Sequence, residues 1–146
     1  MEETYEEYEE KCREIRRQNE ELLKLFESDM ASLSPKTIQK HLDNVDFYIN
    51  NYLLREDALT MENGVAYLDS FLGYFFIRKC MWSTLATIKG TAASIKKFYK
   101  CMLDHGKLKK EQYEYLCSEI KDSLQQWMDD CAQYNDPDAE SPFMFF

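Results

Sequence analysis

The chain has 146 residues, of which 45% are apolar and 31% charged, with a formal net charge of −9. A chain of that length buries roughly 68–70% of its unfolded surface, enough for a core without disulfide or metal staples, and its apolar share excludes wholesale disorder. Four Gly and three Pro are few for a turn-rich β fold, so the composition leans towards long helices.

Five helical segments follow from apolar spacing and end signals. The first is predicted from about Glu2 to Met30. Tyr5, Tyr8, Cys12, Ile15, Leu22 and Phe26 repeat at steps of three and four, with Asn19 on the same stripe. A heptad stripe of this kind suits packing on the chain's own bundle or pairing with a second copy. Residues 1–20 hold eight Glu and no apolar run, so no signal peptide is expected. Ser34-Pro35 starts the second helix, Ser as N-cap and Pro at the first helical position. It is predicted to reach about Leu54, with Ile38, Leu42, Val45, Ile49 and Tyr52 on one side. Thr60 is the predicted cap of the third helix, Met61 to Lys79, whose apolar circumference marks it as the central one. Gly64 and Gly73 within it point to close contacts rather than breaks. Ser83 or Thr84 caps the fourth helix, which ends at Gly106 after His105. The fifth covers about Lys110 to Ala132, with Tyr113, Leu116, Cys117, Ile120, Leu124, Trp127 and Cys131 in one stripe.

The expected architecture is therefore all-α: a single compact bundle of about five helices over residues 1–135. It comprises an acidic N-terminal helix (1–31), a central region (34–108) and a C-terminal helix (110–132). Residues 136–146 read as an extended tail ending in Phe143, Phe145 and Phe146, either folded back on the domain or docking into a partner. The most apolar stretch, Val65 to Ile77, is too short to span a bilayer, so no membrane partner and a cytoplasmic location are expected.

Familiar chemistry is missing from the sequence. Cys12, Cys80, Cys101, Cys117 and Cys131 contain no CxxC and read as reduced, buried thiols. His41 and His105 stand in no HxxH or HExxH spacing, so no metal site is expected from local patterns. His105 reads as a helix C-terminal cap, and His41 as a partly exposed helix residue. No nucleophile elbow, phosphate loop or dinucleotide fingerprint appears. The chain is expected to be no enzyme, with no cofactor and no small-molecule substrate.

Charge is the informative feature. Residues 1–31 hold eleven acids and five bases, whereas residues 82–110 hold seven Lys and one Asp; residues 111–146 return to nine acids and one Lys. At 100° per residue, Lys96 and Lys100 each fall within about 20° of Lys89 on the fourth helix, with Lys97 about 80° aside. Lys107, Lys109 and Lys110 continue the basic run. Such a ridge contacts phosphates, or it is a solvated face that balances acidic neighbours.

The stretch from Leu33-Ser34-Pro35-Lys36-Thr37-Ile38 to about Leu108 resembles the core-binding, SAM-like N-terminal domain of tyrosine recombinases (phage integrases). The likeness is best from Ser94-Ile95-Lys96-Lys97-Phe98-Tyr99 to His105-Gly106-Lys107-Leu108. That run is similar to the family's last helix, which ends in a glycine turn. The resemblance implies a helical bundle that clamps duplex DNA through basic helix surfaces, with Lys89, Lys96, Lys97, Lys100 and Lys107 as candidate DNA contacts. It does not extend to the catalytic domain: neither His41-Leu42-Asp43-Asn44 nor His105-Gly106-Lys107-Leu108 is an HxxR. The alternative is a protein-interaction or dimerisation module without nucleic acid, using the first helix or the Phe-rich tail. Removing Phe143 to Phe146 distinguishes two roles for the tail: a lowered melting temperature means it folds back, unchanged stability with a lost partner means it docks.

Overall fold

A computed structural model describes residues 3–80 and 82–137, and among these every regular element is helical. Helix α1 spans Tyr5–Asp29, opened by the Thr4 hydroxyl, which accepts the Glu7 N–H at 3.1 Å. Its stripe is buried in the chain's own core at Cys12, Ile15, Asn19 and Phe26. Asn19, 1% exposed, donates to the Ile49 carbonyl at 3.3 Å and to Asn50 Oδ1 at 2.8 Å. The polar residue in the stripe is thus a fixed tie to the next helix.

Helix α2 spans Pro35–Asp46, with Ser34 Oγ accepting the Thr37 N–H at 3.2 Å as its cap. The helix runs on through a widened turn, Phe47–Tyr52, closed by the Leu53 N–H on the carbonyl five residues back, Tyr48, at 3.0 Å. The third predicted helix begins later than its pattern suggests. A tight 3₁₀ turn covers Glu62–Ala66, and α3 then consists of Leu68–Ser70, a second widened turn at Phe71–Phe75, and Phe76–Lys79. Thr60 does not cap it, because its N–H and hydroxyl both bind Asn63 Oδ1, at 2.9 and 3.0 Å. The carbonyls of Met61 and Gly64 accept the Tyr99 and Tyr48 hydroxyls, each at 2.6 Å. These two bonds tie the 3₁₀ turn to α2 and to the fourth helix.

Helix α4 spans Leu85–Asp104 behind a reciprocal Thr84–Thr87 cap. Its end is a Schellman closure: the Lys107 N–H reaches the Met102 carbonyl at 2.8 Å and the Gly106 N–H reaches Leu103 at 3.1 Å. Gly106 has φ +72°, where a Cβ would be strained. Helix α5 spans Lys110–Asn135. The central helix is α4, not α3: it packs against α1, α2 and α5 and buries nine side chains. Its middle, Gly90 to Ser94, is built of small residues, which lets α2 approach closely. An aromatic cluster joins the two widened turns, with Tyr52 and Tyr48 rings each 4.8 Å from the Phe71 ring.

The glycines separate close contact from free space. A Cβ on Gly64 would strike the Tyr99 hydroxyl and come within 2.9 Å of Leu53, and one on Gly73 would come within 2.8 Å of Trp127. At Gly90, inside α4, it would meet only the Lys40 side chain at 3.8 Å. We expect Gly64→Ala to cost about 1–3 kcal/mol through overpacking. Gly90→Ala should gain about 0.5–1 kcal/mol through helix propensity. Urea denaturation of the two variants checks both signs.

Candidate nucleic-acid interface on helix α4

The outward stripe of α4 carries Lys89, Lys96, Lys97 and Lys100, all exposed. Lys100 is not a free cation: its ammonium binds Asp104 at 2.9 Å and lies 6.0 Å from the Tyr113 ring centre. Lys89, Lys96 and Lys97 have no acidic partner among the described residues, in contrast to Lys11, Arg13, Arg17 and Lys24 of α1, each of which is ion-paired. Lys107 is exposed but lines a groove with Glu21 of α1 and Glu62, so its field is shared with acids. The fold adds one residue that sequence spacing does not bring to the ridge. Lys40 of α2 lays its ammonium beside Gly90, and it too is exposed and unpaired by any described carboxylate. Its sequence signal is Lys36 and Lys40 one turn apart; what the sequence lacks is the adjacency of α2 and α4.

That adjacency is fixed by a polar node under the lysines. Ser94, fully buried in α4, has its Oγ 2.8 Å from His41 Nδ1, accepts the Asn44 amide at 3.0 Å, and lies 3.0 Å from the Gly90 carbonyl. With its one hydroxyl proton on the Gly90 carbonyl, Ser94 accepts from His41 Nδ1–H, so the histidine tautomer and the serine rotor are linked. Burial, then the Lys97 and Lys40 ammonium groups, push His41 below the usual imidazole range. The histidine thereby reports that both lysines lie near it. The serine is inaccessible to any substrate, so the pair is structural and not a nucleophile with its base.

A second set of side chains meets where α1 and α4 end. Asp29, the last residue of α1, receives Cys101 Sγ at 3.0 Å and His105 Nε2 at 2.9 Å on the same oxygen, Oδ2. Burial and the neighbouring carboxylate push the Cys101 thiol up to about 12, opposite to an activated nucleophile. No local spacing announces this trio, since Asp29 and Cys101 are 72 residues apart. The thiols are otherwise as expected: Cys12, Cys80 and Cys131 are also buried and Cys117 is half-buried, none in a disulfide. The candidate docking residues Phe143, Phe145 and Phe146 lie outside the described residues. Among those described, no helix is long and apolar enough to cross a membrane.

The chain matches no family model, no curated protein and no solved structure. What the site can do rests on its geometry.

The lowered His41 has a signed consequence. The unfolded chain binds the imidazole proton below about 6.5, where the folded chain still resists it. The stability contribution is therefore whole above that pH. It is lost as pH falls from there through the folded value. His41→Gln should flatten this part of the stability profile, read by thermal unfolding between pH 7.5 and pH 5.

Proposed function

We propose that this chain is a non-catalytic helical module that binds duplex DNA weakly by its phosphates, through Lys89, Lys96 and Lys97 of α4 with Lys40 of α2. The observation that carries this reading is the unpaired state of these ammonium groups in a protein of net charge −9. Lys36, Lys109 and Lys121 also lack a carboxylate partner among the described residues, so what distinguishes these four is that they cluster on adjoining faces of α2 and α4. Lys89 and Lys96 are two helical turns apart, about 10 Å along the axis. That matches roughly three base steps on one DNA strand at about 3.4 Å each. The acidic surfaces of α1 and α5 oppose binding only where they lie within a Debye length, about 10 Å at 0.1 M salt. The resemblance to recombinase core-binding domains, which clamp DNA by basic helix surfaces, supports the same face. Arginine and amide base-readers are not interleaved with the ridge, so the contact is to backbone and not to sequence.

The reading makes a ranked set of predictions. A labelled duplex should bind at micromolar protein in low salt, with a log–log salt slope of about −3 to −4 for four phosphate contacts. Lys96→Glu with Lys97→Glu should abolish binding. Lys100→Glu, already paired with Asp104, should matter less, and Lys107→Glu least. Phosphate over Lys40 and Lys97 relieves their repulsion on His41, so its NMR-measured pKa should rise when duplex is added. No binding in low salt, or binding indifferent to the double variant, sinks the proposal.

One observation favours a protein partner instead. The Arg78 guanidinium lies 4.3 Å from the Tyr74 ring centre and 5.6 Å from that of Tyr134, and both tyrosines are more or less half exposed. Among the described residues the Arg78 Nε has no hydrogen-bond partner, and exposed Trp82, four residues further on, packs its ring against Phe47 and Phe76. Aromatic and arginine side chains are enriched at protein interfaces. The stripe of α1 is less available for pairing with a second copy, since Cys12, Ile15 and Phe26 lie in the chain's own core and only Tyr5 at its start is exposed.

A further inference from the structure

We propose that Asp29, Cys101 and His105 bind one zinc-type divalent cation that ties the end of α1 to the end of α4. The donor atoms Oδ2, Sγ and Nε2 all lie within 4.8 Å of one another. Cys101 and His105 are four residues apart on one helix and so project from the same face. Zinc bonds of about 2.0–2.3 Å set tetrahedral ligands roughly 3.3–3.8 Å apart. The contacts to Asp29, at 3.0 and 2.9 Å, therefore need to open by only about half an ångström to admit the ion. Asp29 and His105 side chains are 39% and 36% exposed, enough freedom for that movement and an open path from solvent.

The donor set selects the ion. A thiolate, an imidazole and a carboxylate together suit a borderline cation such as zinc, whereas calcium and magnesium take oxygen ligands. Two backbone features favour positive charge at the same spot. Asp29 is the last residue of α1 and His105 is the C-cap of α4, so the negative ends of two helix dipoles converge there. Neither helix places a lysine or arginine in its last turn to answer that potential. On binding, the ion replaces the Cys101 thiol proton, which leaves to solvent. His105 binds the ion through Nε2 as a neutral imidazole with its proton on Nδ1, and water completes the fourth position.

The test uses the full chain, reduced and stripped with a chelator, titrated with zinc and separately with cobalt. The expected result is one equivalent bound, a melting temperature raised by several degrees, and a thiolate-to-cobalt charge-transfer band. Magnesium and calcium should produce no shift. His105→Gln and Asp29→Asn, both at exposed positions, should keep the helical circular-dichroism signal and each weaken zinc binding about tenfold or more. Cys101→Ser should remove the cobalt band. Absence of the band in the unaltered chain overturns the proposal. So does a band that survives Cys101→Ser, or zinc affinity unchanged in both exposed variants, since the ion then sits on another cysteine. DNA binding is read separately, so failure here leaves the lysine face untouched.

Discussion

Two tyrosine hydroxyls in the middle of the core set the arrangement of everything around them. Tyr99 of α4 and Tyr48 of α2, both fully buried, each give their only proton to a backbone carbonyl of the 3₁₀ turn, at Met61 and Gly64. A buried phenol without an acceptor is costly, so these two bonds decide where the turn must lie. Gly64 makes the position possible, because no side chain fits between Tyr99, Leu53 and Tyr48. Burial raises the pKa of both phenols, so they remain donors throughout the ordinary pH range. With α2 and α4 each pinned to one short segment, the distance between those helices is fixed, and with it the polar node at Ser94 and the lysines above.

Electrostatics then divides the surface by helix. On α1, bases alternate with acids at three- and four-residue spacing and neutralise one another along the same helix. Exposed pairs of this kind add little stability, but they remove cations from other uses. Helix α4 offers its lysines only Asp104 in this way, and Asp104 takes Lys100 alone. The difference between the helices is one of local supply of carboxylates.

The sequence carried the five helices, their capping residues other than Thr60, and the buried stripes well, because periodicity and end signals are local. Ser34-Pro35, Thr84 and Gly106 are where their chemistry says they are. Gly64 and Gly73 do mark close approach. The centre of the bundle was less legible. Helix α3 is the more apolar in composition, yet α4 is the one surrounded, because its small residues and the Tyr99 bond depend on partners far along the chain. The same holds for the candidate sites. Lys89, Lys96 and Lys97 could be placed on one helix from spacing, but the pairing of Lys100, the groove position of Lys107 and the arrival of Lys40 are tertiary facts. Asp29, Cys101 and His105 were invisible for the same reason.

The widened turns at the end of α2 and in the middle of α3 have a geometric effect. Each inserts one residue into a helical cycle, so the side chains after it are rotated relative to those before it. Along α2, His41 and Asn44 address α4, while Phe47 and Tyr52, past the shift, address Phe71 and Phe75 of α3. One continuous helical segment thereby serves two neighbours without an intervening loop. The same phase change keeps the polar contacts under the lysines apart from the aromatic cluster, so that the two halves of α2 can be altered independently.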